Sequence, residues 1–266
     1  MTPIPPSPGA KARDDARIAE GHYARKQIHC PSRVVAWSHG SRFDLARKLV
    51  AGTGARRLLD YGCGDGTFVA MVHAGFAEAR GVDVEPDQVE GCRRRLGDLS
   101  GVSFAMTREL GPADHGAWDV VTCMEVLEHC LEPERRRILD ELGQLCAPGG
   151  IVVISMPIET GPSLVGKQFF RAVAGLRGFG DYSHRERYSP VEMVRGALAL
   201  PVPRVSYVGH GATGPFSYYG HKGFEWRDVQ TEIRARLSIE QRTFSPLPWA
   251  GAVLNSQVWF ICRKQP

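Results

Sequence analysis

Between residues 57 and 155, short apolar runs alternate with longer segments whose apolar positions recur every three to four residues. Runs at 57–60, 79–83, 102–105, 118–123 and 151–155 read as buried strands. The segments 66–75, 86–96 and 133–146 read as helices. Strand and helix in strict alternation imply a parallel sheet with helices on both faces. Pro86 sits where a helix begins, and its missing N–H costs nothing there. Pro148-Gly149-Gly150 reads as the turn before the fifth strand.

Outside this stretch the pattern changes. Residues 1–15 carry four prolines and little large apolar side chain, which predicts a disordered tail. The segment 16–52 has apolar spacing for one or two amphipathic helices, an N-terminal arm with His22, Tyr23, Trp37 and His39 as candidates for substrate contact. After Ser155 the regularity loosens. Residues 156–188 are rich in glycine, aromatic and basic residues and read as an insertion with a helix at about 164–173. Ser189-Pro190 is a good cap and first-turn pair for the next helix. The runs 204–208 and 256–263 read as the last two strands, with 209–252 as a second insertion. A domain over 53–266 with two insertions accounts for the chain.

Composition narrows the class. The chain has 266 residues, 43% hydrophobic and 23% charged, which suits a packed core. A net charge of +4 is too small to argue for nucleic acid. Seven cysteines without a C-x-x-C pair favour reduced thiols, hence a cytoplasmic setting. No apolar run approaches the roughly 18 residues of a membrane span, and the start of the chain lacks a signal-peptide apolar core. Phe169, Phe170 and Phe179 with Lys167, Arg171 and Arg177 would suit either a lid or peripheral contact with a lipid surface.

The chemistry gathers at Leu58-Leu59-Asp60-Tyr61-Gly62-Cys63-Gly64-Asp65-Gly66. A strand, a glycine loop and a helix form the nucleotide-binding corner of a doubly wound sheet. The dinucleotide fingerprint would put a glycine at position 67, which is Thr67. The spacing here is G-x-G-x-G, led by Asp60. A carboxylate there repels a pyrophosphate and suits a ligand bearing an ammonium and a sulfonium. Asp83 ends the second strand about twenty residues further on, where an acid can accept both hydroxyls of a ribose.

With this loop the chain resembles the class I S-adenosylmethionine-dependent methyltransferases. Met124-Glu125-Val126-Leu127-Glu128-His129 and the P-G-G turn strengthen the likeness, which is greatest toward the ubiquinone-pathway O-methyltransferases. The resemblance implies a doubly wound α/β fold, a mainly parallel seven-stranded sheet of the Rossmann-like methyltransferase type. It implies S-adenosylmethionine held by Asp60, Gly62, Gly64, Gly66, Asp83, Val84 and Met124, with Glu85 beside the adenosine. The corner after strand three often meets the adenine through an acid; here Arg108 stands in that place and Thr107 is the expected contact.

On a helix, Glu125, Glu128 and His129 would share a face. Two carboxylates and an imidazole can hold a divalent cation or act as acid and base, with Glu125 and His129 as the catalytic candidates. The string also resembles that of small-RNA 3′-terminal 2′-O-methyltransferases, which implies a metal set of Glu125, Glu128, His129 and His184 for Mg²⁺, Mn²⁺ or Zn²⁺. A methyl acceptor that is a small molecule, a quinone precursor or a sugar is expected. An RNA 3′-terminal ribose is the alternative, and a partner subunit that binds cofactor without catalysis is a third reading. No specific protein partner is implied.

Overall fold

The computed structural model describes residues 16–29, 33–51, 53–176, 186–211 and 214–264. The tail expected at 1–15 lies outside them, as do His184, Arg177 and Phe179. A seven-stranded sheet runs in the order β3-β2-β1-β4-β5-β9-β8, from β1 (Arg57–Tyr61), β2 (Glu78–Asp83), β3 (Val102–Met106), β4 (Trp118–Met124), β5 (Cys146–Pro157), β8 (Leu237–Ser245) and β9 (Gln257–Lys264). The pairs β1·β2, β1·β4 and β2·β3 are parallel and β8·β9 is antiparallel. A separate antiparallel hairpin joins β6 (Ser206–Gly211) and β7 (Gly214–Tyr219). The chain forms two compact units, Met1–Met124 with Leu142–Val153, and Glu125–Glu141 with Ile154–Pro266.

In the first unit, β1 is buried along both faces because helices cover the parallel sheet on each side. Leu58, Leu59, Val120 and Val121 are fully enclosed. Trp118 is enclosed too, with the guanidinium groups of Arg57 and Arg80 4.6 and 5.0 Å from its ring centroid. Helix α1 (Arg33–Ala51) supplies Phe43, which stacks on Phe68 of α2 (Thr67–Val72) with centroids 6.3 Å apart. Helix α3 (Pro86–Leu96) starts at its proline as expected and buries Val89, Cys92 and Leu96.

In the second unit, Arg135 of α4 (Glu132–Leu145) makes a two-pronged ion pair with Glu232 of α7 (Trp226–Arg234), at 2.8 and 2.6 Å. Helix α5 spans Pro162–Leu176. Ser189 caps α6 (Pro190–Ala197): its hydroxyl accepts from Glu192 N, and the Glu192 carboxylate accepts from Ser189 N.

Four expectations change. The first helix after the glycine loop is short, Thr67–Val72, and closes with a 3₁₀ turn at His73–Gly75. Strand β5 begins ahead of the P-G-G segment, and Gly149 keeps the left-handed conformation of a turn within it, at φ 77°. No helix forms at 125–129. The run at 204–208 is not the sixth strand of the sheet, since β6 belongs to the hairpin. The strand that completes the sheet is β8, inside the stretch 209–252 read as an insertion. That strand is hard to see in sequence because it lies at the sheet edge, is exposed along much of its length and changes register between Ile239 and Gln241. An extra residue flips the alternation on which a strand reading depends.

Removing Arg135 leaves the Glu232 carboxylate in a largely enclosed site without its guanidinium. Arg135→Ala is expected to lower unfolding free energy by about 3–5 kcal/mol. The Arg135→Met/Glu232→Leu pair should cost far less, because both desolvated charges go together. Urea unfolding midpoints of the two variants against the parent chain check this.

Candidate functional site

The corner after β1 is shaped by backbone. Gly62, Gly64 and Gly66 all have positive φ, at 78°, 52° and 72°, a region in which a Cβ is strained. Gly62 N and Cys63 N both donate to Val82 O, at 2.8 and 3.0 Å, which folds the loop onto the end of β2. At Gly66 an added Cβ would lie 2.9 Å from both Leu96 Cδ1 and Phe104 Cε1. At Gly64 it would meet nothing within 4 Å, so this peptide faces open space where a ligand can approach closely.

Asp83 holds that loop from the neighbouring strand. Its Oδ2 accepts from Gly64 N at 2.8 Å and its Oδ1 from Glu85 N at 3.0 Å. Each carboxylate oxygen has a second lone pair for a hydroxyl donor. Val84 beside it is exposed, and Thr107, half-buried, opens the 3₁₀ turn after β3. Met124, half-buried, is the last residue of β4.

Asp60 is the electrostatic anomaly. It is enclosed, and its Oδ1 accepts from Thr122 Oγ1 at 2.6 Å. Burial pushes its carboxyl up to about 7; the Thr122 hydroxyl opposes this and the charge of Asp83 adds to it. Sequence reading missed Thr122, though a lone hydroxyl in the apolar run Val120-Val121-Thr122-Cys123 was the available signal.

It also missed Asp65, which ties the arm to the loop. Asp65 accepts from Tyr23 N at 2.8 Å and from Thr67 N at 3.1 Å. Arg95 sits 3.9 Å from its carboxylate and donates to Arg17 O at 2.7 Å and to Asp65 O. A Cβ on Gly21 would lie 2.8–2.9 Å from side-chain atoms of Arg95, Asp65 and Thr67, so the arm sits close against the loop here. The arm residues expected to reach a substrate partly satisfy one another: Tyr23 Oη lies 2.6 Å from His39 Nδ1 and accepts from Arg42. His22 and Trp37 are exposed.

The string after β4 is a turn, not a helical face. Glu125 has φ 58°; its N–H donates to Ser155 O at 3.1 Å and its Oε1 accepts from Ser155 Oγ at 3.2 Å. Glu128 and His129 lie in the following turn, where His129 N donates to Val126 O. The carboxylate of Glu128, the imidazole of His129 and the imidazole of His221 each offer a ligand atom within 4.8 Å of the others. Glu125 is outside that group, and His184 lies outside the described residues. His221 was missed because it is more than ninety positions from Glu128 and only the hairpin brings it back. Lys167, expected on a lipid-facing edge, instead donates to Glu159 at 2.9 Å and to Ser256 O at 3.1 Å. Among the described residues, no helix is long and apolar enough to cross a membrane.

A doubly wound sheet closed by an antiparallel edge pair, with an acid-led glycine corner, defines the class I methyltransferase fold. A model of the methyltransferase domain family matches residues 36–191, and the chain belongs to that family. It is similar to the ubiquinone biosynthesis O-methyltransferase of Psychrobacter cryohalolentis, at 27% identity over 59% of this chain and 63% of that protein. The protein of the same name from Bordetella avium is 31% identical over 59% of this chain and 66% of its own length. The chain thus matches less than two thirds of each relative. Among solved structures, the N-methyltransferase NodS from Bradyrhizobium japonicum, in complex with S-adenosyl-L-homocysteine, superposes with a TM-score of 0.53. The match has 14% identity and covers 96% of this chain and 98% of that one, a likeness of fold.

The raised carboxyl of Asp60 has a consequence for stability. A folded-state value above the unfolded one means that the folded chain keeps a proton which the unfolded chain releases. Stability from this group is therefore undiminished below about pH 4 and falls as pH rises toward about 7. Asp60→Asn is expected to flatten that fall and to leave the ligand-free chain more stable than the parent at pH 8. Thermal unfolding between pH 5 and 8 measures both.

Proposed function

We propose that the chain transfers the methyl group of S-adenosylmethionine to an oxygen of a small hydroxylated molecule, with a quinone precursor as the leading acceptor class. The observation that carries this is the pair of carboxylates at the ends of adjacent strands, Asp60 on β1 and Asp83 on β2, with an open positive-φ glycine loop after β1. The residues fit the cofactor. Asp60 is a buried carboxyl poised near neutrality, which a ligand ammonium would draw into its ionised form. Asp83 retains accepting capacity for ribose hydroxyls, and Gly64 leaves room for close approach. The bound cofactor supplies an electrophilic methyl on sulfonium.

For the protein, the task is then orientation and handling of one proton. Holding acceptor and methyl in line is worth about 7–11 kcal/mol. The oxygen of a hydroxyl attacks well only when its proton is taken up, and a positioned base adds roughly 10²–10⁴-fold. Within the second unit, Glu128, His129 and His221 sit together as groups able to take up a proton, whereas the Glu125 carboxylate is turned onto Ser155. The O-methyltransferase relatives support oxygen over nitrogen as acceptor.

Calorimetry should show S-adenosyl-L-homocysteine binding to the chain, with Asp83→Ala weaker by roughly ten- to a hundredfold, the effect of losing hydrogen bonds to a charged acceptor. Equal affinities would remove Asp83 from the site. Mass spectrometry of extract incubated with the chain and labelled cofactor should show label on hydroxylated small molecules. Label confined to RNA, or no transfer with cofactor bound, would reject the acceptor class.

A further inference from the structure

We infer that Thr122 is a positioning residue for the cofactor: its hydroxyl serves the Asp60 carboxyl in both protonation states, and a cationic ligand arriving at this corner displaces one proton from Asp60. The two residues are in-register partners of the parallel strands β1 and β4. On the other side of Asp60 the in-register partner is Gly81 of β2, which has no side chain to offer. Asp60 is 2% exposed and Thr122 is fully enclosed. Val120, Val121 and Cys123 beside it on β4 are apolar and equally enclosed, and valine would fill the place of Thr122 with nearly the same shape. A hydroxyl there is costly unless it is bonded.

The bonding fits two states. Thr122 Oγ1 lies 2.6 Å from Asp60 Oδ1 and 3.4 Å from Leu59 O. A threonine hydroxyl has one proton and two lone pairs, and the proton rotates to suit its acceptors. An ionised Asp60 only accepts, so Thr122 donates to it, at a distance within the range of charge-assisted bonds between oxygens. A protonated Asp60 can donate to Thr122 Oγ1, and Thr122 then turns its own proton to Leu59 O. No heavy atom has to move. Valine would leave the ionised carboxylate without this donor, a loss that falls on the charged state.

The charges that face Asp60 set the direction. Asp83 approaches from β2 and the Cys63 thiol from the glycine loop, while β4 contributes the neutral Thr122 hydroxyl. Among the described residues that act on its charge, none is a cation. Burial pushes the carboxyl up to about 7, with Thr122 opposing and Asp83 adding. The acid is therefore largely protonated below neutrality, and a ligand ammonium draws it into the ionised form by supplying an opposite charge. One positive charge replaces another: the ligand's enters and the proton leaves to solvent. The identity of the ligand rests on the S-adenosylmethionine reading; the pairing of Asp60 with Thr122 is a property of the chain itself.

Calorimetry of S-adenosyl-L-homocysteine binding to the full chain, from about pH 5.5 to 8.5 in two buffers of different ionisation heat, counts the protons released. The parent should release close to one proton per ligand at the acid end and almost none at the alkaline end, with affinity falling roughly tenfold per pH unit below about 7. Asp60→Asn has no such proton to give up and should release none at any pH. Thr122→Val should bind roughly tenfold or more weakly at pH 7 and recover toward the parent at alkaline pH; Thr122→Ser should restore the parent profile. Without ligand, thermal unfolding of Thr122→Val should show the pH range of falling stability displaced upward. Circular dichroism confirms that each variant is folded. Binding by the parent without proton release, or a loss in Thr122→Val by the same factor at every pH, overturns the inference and leaves the cofactor site standing. An unchanged unfolding profile in Thr122→Val removes its role whatever the ligand. Failure of the folded parent to bind at any pH overturns the cofactor reading and the proton displacement with it.

Discussion

The Asp83 carboxylate, by accepting Gly64 N–H and Glu85 N–H at once, holds the glycine corner in shape. A loop of three positive-φ glycines has a high entropy cost of ordering, because glycine has the most conformations to lose. The cost is offset where the loop's donors find fixed acceptors. Val82 O takes two of them, Asp83 a third, and Cys63 O the Gly66 N–H. All of this depends on β1 and β2 running parallel in a register that ends both strands at the same edge. A slip of one residue would turn Asp83 to the opposite face and leave Gly64 without its acceptor.

The same strand ends concentrate negative charge. Asp60 and Asp83 are close enough that one raises the carboxyl of the other, and Thr122 alone among the named neighbours opposes the rise at Asp60. The arm meets a third acid, Asp65, from outside, through Tyr23 N and the Arg95 guanidinium. Burial and the neighbouring Asp83 together make this corner favour a protonated Asp60 carboxyl.

The second unit solves a different problem. After β4 the chain makes a turn in which Glu125 takes a left-handed conformation, unusual for a residue with a side chain, and Ser155 secures both its ends. The hairpin then returns Tyr219 and His221 to His129. Two reciprocal hydrogen bonds between His129 and Tyr219 accomplish what a helix could not, because a helical face would have grouped Glu125 with Glu128 and His129 and left the hairpin no part.

Sequence alone determined the elements whose signals are local. Strands β1 to β4, helix α3, the glycine loop with Asp60 and Asp83, and the Ser189 cap were all legible. Each rests on contiguous apolar runs, on residues suited to one backbone conformation, or on a fixed spacing along one strand–loop–helix unit. Only the tertiary structure decided the rest. Strand β8 hides behind a register shift and an exposed edge, so its alternation is broken where it would be read. Glu125 looked like one of a helical trio until its backbone proved left-handed. Thr122, Asp65 and His221 matter through partners 62, 42 and about ninety positions away. No local pattern encodes such pairings, because they exist only once the strands are in register and the hairpin is seated.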